Sequence, residues 1–400
     1  MSHPHLEYGE ILGHRPSSQE VIRHSAIAAQ SLPPGEMQAW ESCIRRGIAG
    51  AVYLHPQLVL SDLEYYQGSQ IFTLSEPDGL AGGLSGLAVL TPKSVMVRPL
   101  AIPFGKVSMK GYRLAGNQVI GTDESEVVRL VKAISRLLLD KEAECLLFEE
   151  IEYDSVLWKA ILQVAAEHHK RIGLFHRRPP QLHHWIRFPA PAADYWKKFT
   201  SKTRGNLRRM ATKFEHRLLK FTSPDDVPGF LEKAHLVSTK SWQAAHLGVR
   251  IQDTPRERKH WSHFAALGGF RSYLLEHAGV PVAFVLGTCW NGCFTYEEIA
   301  YDQSYLQHSP GTILLFRILE DLIADDTPWV FDFGAGDGEY KQIFSTHQHQ
   351  GGPILLVRRP FPALYLQIER LSALGIRAVR AVLRSTGVLS YLRRRWRRRP

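Results

Sequence analysis

Two short stretches concentrate the residues whose types and spacing could do chemistry. The first runs from Trp329 to Lys341. Apolar and aromatic residues lead into Asp332, glycines stand at 334, 336 and 338, and Tyr340 and Lys341 follow. Alone it reads as a strand, an acid and a glycine-rich loop, a pattern that brings backbone close to a cofactor such as a nucleotide or S-adenosylmethionine. The second stretch is Ser309-Pro310-Gly311-Thr312, ahead of the apolar run Ile313 to Ala324. Ser309 is a natural helix cap, and Pro310 suits the first helical position, where a missing N–H costs nothing. Such a helix turns its free amides and positive dipole end toward the preceding strand, as pyrophosphate sites do, and as a plain capped helix also does. A further cationic pair, Arg204 and Arg208, sits four residues apart and so on one helical face. It is either a solvated basic face or a clamp for a charged substrate or for CoA phosphates.

The elements that must position these groups follow from turn signals and periodicity. Strands are expected from Leu80 to Leu90 and Ser94 to Ile102, a helix from Thr122 to Leu139, then strand 145–148, helix 155–169 and strand 172–175. A proline-rich segment, His176 to Ala193, closes this half, with Leu182 to Phe188 as a strand shared between halves. The second half is expected to open with one helix from Ala193 to about Leu219. Helices Val227 to Ala245 and Pro255 to Leu267 follow, then a three-stranded meander, 270–277, 280–288 and 293–301. Asn291-Gly292 between apolar runs is the strongest short hairpin signal. The capped helix and the strand Val330 to Phe333 come next, then a turn-like segment to Gln350 and a strand 354–357. Both halves thus show a succession of strands, helix and strand.

That context argues against a methyltransferase. An adenosylmethionine loop ends the first strand of a doubly wound domain, with several units still to come and an acid on the second strand. Here the next strand ends in Arg358-Arg359, and about forty residues of mostly basic helix remain, too few for that fold.

Composition sets further bounds. A 400-residue chain that is 44% hydrophobic can bury two cores, and no apolar run approaches the ~20 residues that span a bilayer. The start, Met-Ser-His-Pro-His, has no secretory pattern, so a cytoplasmic chain is expected. Four scattered cysteines lack metal-ligand spacing, and no metal is expected; Cys289 and Cys293 flank a turn and could meet across a hairpin. The net charge of +10 is concentrated: Arg358 to Pro400 holds twelve arginines and one acid, Glu369. The remainder is close to neutral and offers no broad positive field for nucleic acid.

The succession Ser201-Lys-x-Arg204-x-Asn206-Leu-Arg-Arg209, Ser241-Trp242, Ala300-Tyr301-Asp302, Ser309-Pro310-Gly311, and Asp332-Phe-Gly334 through Tyr340-Lys341 resembles one family. It is similar to the GNAT-type acetyltransferases associated with cellulose and exopolysaccharide biosynthesis, the CelD/BcsL-like group, over about residues 50 to 360. A more distant similarity is to Fem-type peptidyltransferases, which use aminoacyl-tRNA. Of the acetyl-CoA loop of ordinary GNAT enzymes, Gln307 and Gly311 form a partial echo. The resemblance implies an α+β fold of two tandem GNAT-like domains, with mixed, mostly antiparallel sheets flanked by helices. The divisions are an N-terminal extension at 1–50, domains at 51–190 and 191–360, and a basic C-terminal helix at 361–400. It also implies acetyl-CoA or another acyl-CoA as co-substrate and an amine or hydroxyl acceptor. The alternatives are an aminoacyl-tRNA-dependent transferase and a non-catalytic scaffold.

Acyl transfer needs a held pyrophosphate, oxyanion donors and a base. Ser309, Gly311 and Thr312 are expected to supply the first. Glu297 and Glu298 should face opposite sides of their strand, so one of them faces the cleft; the candidates for the base rank Glu298, Asp302, then His308. Tyr340 would protonate the departing thiolate, and Lys341 would hold phosphate or oxyanion charge. Arg204, Arg208 and Trp242 would grip the acceptor or the CoA phosphates. The C-terminal residues Phe361 to Arg399 read as a basic amphipathic helix, suited to an anionic membrane surface or to packing on the body.

Overall fold

The computed structural model describes residues 21–25, 34–47, 49–75, 83–98, 106–325, 328–336 and 338–385. The expected first strand at 80–90 lies partly outside these residues, as does the arginine-rich end at 386–400.

β1 (Ile22–Ser25) and α1 (Pro34–Ile44) precede a 3-10 turn at Ala49–Leu54 and two short helices, α2 (Pro56–Ser61) and α3 (Leu63–Tyr66). Then come β2 (Gln70–Ser75), β3 (Leu84–Val97), β4 (Val107–Leu114), α4 (Glu124–Leu139) and β5 (Cys145–Glu152). α5 (Val156–Glu167), β6 (Ile172–His176) and β7 (Gln181–Arg187) complete the first half. The second half runs through α6 (Ser201–Lys213), β8 (Arg217–Phe221), α7 (Asp226–Thr239), α8 (Trp242–Leu247) and α9 (Pro255–Ala266). β9 (Ser272–His277), β10 (Val280–Trp290), β11 (Cys293–Tyr301), α10 (Pro310–Ala324) and β12 (Val330–Ala335) follow. α11 (Glu339–Phe344), β13 (His347–Arg358) and α12 (Phe361–Ser385) end the described chain.

Four expectations about elements are corrected. The strands expected at 80–90 and 94–102 are one strand in the described residues, β3, which runs on through Thr91, Pro92 and Lys93. The segment after Ala193 is not one helix: a 3-10 turn, Ala192–Lys198, is separated from α6, whose first turn is capped by Thr200 accepting from the Thr203 amide. The helix expected to reach Ala245 is divided because Ser241 caps a new one, its hydroxyl accepting from the Ala244 amide. Residues 341–350 are not a turn but α11 and the start of a long β13. That strand runs straight through Gly351 and Gly352, where a Cβ at 351 would lie 2.5 Å from the Ile151 carbonyl oxygen.

All thirteen strands join one sheet in the order β1-β2-β3-β4-β5-β13-β7-β12-β11-β10-β9-β8, with β6 also paired to β13. β13 follows the second half in sequence yet pairs with β5, β6 and β7 of the first. β12 pairs with β7. The two halves are therefore stitched by reciprocal strand exchange. Strand alternation divides the cores. Leu146, Phe148, Ile354 and Leu356 face the α4/α5 side, whereas Cys145, Leu355 and Val357 face α12. In the second half, Phe284, Leu286 and Ala300 pack with α7 and α9, and Ala283, Val285 and Phe294 pack with α10. Near the N-terminus, Trp40, Val52, Leu54 and Val59 share the core of α7 and α9.

The meander turns behave as their residues dictate. Ala278 and Gly279 have φ of 48° and 79°, Asn291 and Gly292 45° and 70°, the left-handed pair that matches hairpin twist. None of the four cysteines is in a disulfide. Cys289 stands opposite Phe294 and Cys293 opposite Trp290, so the two thiols are offset across the hairpin. Among the described residues no helix is long and apolar enough to cross a membrane, and no group of three or more His, Cys, Asp or Glu is placed to hold a metal ion.

Candidate active site

The site is built where two parallel strands part. β11 and β12 pair only through Cys293–Thr295 and Val330–Asp332, and beyond those residues they diverge. Two adjoining cavities of about 310 Å³ and 220 Å³ occupy the notch. Gln243, Tyr296, Ile299 and Tyr340 line both. The first cavity also takes in Ser309, Gly311 and Thr312 at the start of α10. The second takes in Glu150, Glu297, Glu298, Asp332 and Lys341. Residues proposed for the donor phosphates and residues proposed for chemistry thus share a wall.

Glu297 and Glu298 do not divide between faces as simple alternation requires. The β10–β11 register shifts between Leu286/Glu298 and Gly287/Tyr296, so Glu297 is an extra residue on β11. A β-bulge re-aims side chains locally, and both carboxylates reach the same cavity. Their environments differ. Glu298 is held by Arg250, with Nη2 to Oε2 at 3.1 Å. Glu297 Oε1 accepts from the Tyr53 hydroxyl at 2.9 Å and the Thr288 hydroxyl at 3.2 Å, leaving Oε2 as the oxygen available to a substrate proton. Glu297 is exposed to solvent at the cavity, yet the protein packed around it limits how well water solvates its carboxylate. That desolvation, with Glu150 and Asp332 nearby and against the two hydroxyls, pushes its carboxyl up to about 7. Glu150, from β5, is raised for the same first reason.

The glycine stretch is closed on itself. Asp332 Oδ1 accepts from the Gly334 amide at 2.7 Å and also bonds His183 of β7. Burial works to lower the His183 pKa, but the Asp332 partner prevails and raises it. Lys341 is buried, and its Nζ donates to the carbonyls of Gly334 at 3.1 Å and Ala335 at 2.8 Å. Gly334 and Gly336, with φ of 68° and 107°, use the left-handed freedom of glycine to fold the loop back on the lysine. The loop therefore shapes one wall rather than cradling an adenosyl group. Tyr340 and Tyr296 face each other across the floor; each perturbs the ionisation of the other, without a hydrogen bond of ordinary geometry at the buried Tyr296 hydroxyl. Burial raises the pKa of both phenols.

Several expected residues stand elsewhere. Asp302 is buried and caps the 3-10 turn Gln303–His308, accepting from the Ser304 amide at 2.9 Å and hydroxyl at 2.7 Å. Burial pushes its carboxyl up, but those bonds and Lys240 hold it below the ordinary range, and it lines neither cavity. His308 stacks on Phe214 at 4.9 Å. Arg204 donates to the Trp196 carbonyl at 3.2 Å, and Arg208 is exposed; neither reaches the notch. Trp242 is half exposed and stacks on His246; its neighbour Gln243 is the residue that lines the site, anchored to the Ile299 carbonyl at 2.8 Å. Ser309 occupies the cap position with φ 53° and ψ 50°, and its side chain makes no cap bond. The amides of Thr312 and Ile313 return to the Ser309 carbonyl. Gly311 then presents the first helical amide, because Pro310 has none. Tyr53, Glu150, Gln243 and Tyr296 were not singled out from sequence. They come from four segments, and only Tyr296, beside the two glutamates, carried a local signal.

Residues 201–342 match the family model described as acetyltransferase (GNAT) domain. No curated protein matches the chain by sequence. Among solved structures the chain is similar to FemX, at 10% identity and TM-score 0.55, covering 83% of this chain and 98% of that one. It is also similar to the C-terminal DUF2156 domain of an Agrobacterium fabrum protein, at 12% identity and TM-score 0.51, covering 84% and 95%. A tandem GNAT protein from the clavulanic acid biosynthesis pathway aligns at 12% identity and TM-score 0.47, covering 86% and 99%. The chain thus shares an α+β fold with FemX, and residues 201–342 resemble a GNAT acetyltransferase domain.

Proposed function

We propose that the notch between β11 and β12 transfers an acyl group from acyl-CoA to an amine or hydroxyl, with Glu297 as the general base. The observation that carries this reading is a bulged carboxylate poised near neutrality in the same cleft as the uncapped start of α10. The donor's pyrophosphate would lie at Gly311 and Thr312, where the helix dipole favours negative charge. The acceptor would approach from the side of Glu150 and Glu298. Attack forms the new carbon–nitrogen or carbon–oxygen bond, Glu297 takes the acceptor's proton, and collapse breaks the carbon–sulfur bond. Tyr340, which its raised pKa keeps protonated, would then give a proton to the leaving thiolate. Lys341 holds the Gly334–Ala335 wall in place and so positions Tyr340 beside it. Following the resemblance to the exopolysaccharide group, the acceptor is proposed to be a sugar precursor or another cell-envelope component.

The test is thiol release from acetyl-CoA in the presence of a panel of amino sugars, amino acids and simple sugars. Acceptor-dependent release that Glu297→Gln suppresses is the expected result. Release that the variant leaves untouched would remove Glu297 as base, and no release with any acyl-CoA would sink the reading.

A further inference from the structure

A second feature lies away from the notch, on the face of the first half's sheet covered by α12. The buried side of this helix is short: Ala363 and Leu366 pack on Val95, Val97, Leu355 and Val357. Its outer side is apolar too. Phe361, Leu364, Leu371 and Leu374 are 67%, 46%, 68% and 52% exposed, with Ile368 half-buried among them. Spacings of three, four and three residues from 361 to 371 place these side chains in one stripe. The stripe borders a cavity of about 570 Å³ that Leu364 and Gln367 share with Lys141, Lys170, Arg171, Arg358 and Arg359.

Those five cations come from three separate segments, and among the described residues no acid lines the cavity. Arg171 and Arg359 spend hydrogen bonds on the backbone carbonyls of Leu139 and Ile172, which leaves their charge uncompensated by those contacts. Arg358 stands 4.0 Å from Glu144, at the limit of an ion pair, and Asp140 is adjacent in sequence to Lys141. On the other flank of α12, Arg178 and Arg370 line a further cavity in which Arg177 is paired with Glu369.

We infer that this face docks on an anionic phospholipid bilayer, with the Phe361–Leu374 stripe entering the headgroup boundary and the Lys141/Lys170/Arg171/Arg358/Arg359 cup holding lipid phosphates. Apolar stripe and cationic cup are contiguous, the combination that an interfacial helix uses. A second copy of the chain is a poorer occupant, because pairing the stripe with itself would bring two uncompensated cationic cups together. The proposal is independent of the acyl-transfer reading.

The experiment is co-sedimentation of the full chain with vesicles of phosphatidylglycerol in phosphatidylcholine, against pure phosphatidylcholine vesicles and against competition by glycerol phosphate. Two variants are compared with the native chain: Phe361→Asp with Leu371→Asp, and Lys141→Glu with Lys170→Glu. All four positions are exposed, and unchanged melting curves establish that the variants fold. Since every form keeps residues 386–400, differences report on the face itself. Expected is binding to the anionic vesicles, reduced roughly 30-fold by the lysine pair, at about 1 kcal/mol per lysine near the surface, reduced about tenfold or more by the apolar pair, and little affected by glycerol phosphate. Equal binding by native and variant chains overturns the proposal, as does equal binding to neutral vesicles or abolition by glycerol phosphate. A native dimer that Phe361→Asp with Leu371→Asp makes monomeric assigns the stripe to self-association and also overturns it.

Discussion

The two halves of the sheet carry the same device with opposite outcomes. In each, a meander ends in a strand that pairs in parallel with the next one through three residues only. These are Gly111–Arg113 with Cys145–Leu147 in the first half and Cys293–Thr295 with Val330–Asp332 in the second. In each, a helix of the connection, α4 or α10, begins beyond the end of the meander. The start of α4 carries its own acids. Asp123 accepts from the Glu126 amide at 2.9 Å, and the Glu126 carboxylate returns to the Thr122 amide at 2.7 Å, a reciprocal box that places two negative groups on the helix dipole. The chain entering α4 also bridges Ile120 back onto Leu87, closing that side. α10 has no acid in its first turn and no side-chain cap. One scaffold with two notches therefore has one helix start that carries its own acids and one that carries none.

The largest expected effect concerns Glu297, the proposed base. Glu297→Gln should lower kcat by about 100-fold or more, measured as acceptor-dependent thiol release. The second sharpens the comparison by transplanting the first half's chemistry. Gly311→Asp puts an acid on the first turn of α10, where the dipole stabilises it by roughly 0.5 kcal/mol. The KM for acyl-CoA should rise about tenfold through charge repulsion, with the melting temperature unchanged or raised. An unaltered KM would break the claimed difference between the halves.

Lys341→Met should leave a folded chain about tenfold slower, because the Gly334–Ala335 wall loses its anchor and Tyr340 its position. A wild-type rate would take Lys341 out of the account. A pH profile comes next. The rate should rise as Glu297 deprotonates, reaching half its plateau near pH 7, and Glu297→Gln should remove that step. Stability runs the other way. The folded value lies above the ordinary glutamate value, so this group's favourable contribution is complete on the acid side and is lost as pH rises through about 7. Glu297→Gln should therefore melt above the native chain at pH 8 and converge with it in acid. The smallest effect separates the two caps. Asp123→Ala should cost about 1 kcal/mol, whereas Ser309→Ala should change stability little, because Ser309 makes no cap bond.

Much of the scaffold was legible in sequence for local reasons. Asn291-Gly292 marked its hairpin, Pro310 the start of α10, and Thr122-Asp123 the start of α4. The site was legible only in part, because two of its features are not local. The bulge that turns Glu297 and Glu298 into one cavity arises from a register shift against β10, so period-two reasoning assigned them to opposite faces. The partners of Glu297 come from Tyr53 and Thr288, and Glu150 is brought in because β13 and β7 fuse the two halves into one sheet. Asp332 and Lys341 were visible as a motif, but their shared service to the Gly334–Ala335 loop required coordinates. Ser309 had the right residue type for a cap and the wrong backbone conformation for it.

The most direct test of the difference between the halves is calorimetric titration of the full chain with acetyl-CoA, repeated on Gly311→Asp. One site per chain, weakened about tenfold by the added acid, is the predicted result. Two sites, no binding, or a Gly311→Asp isotherm indistinguishable from the native one would contradict it.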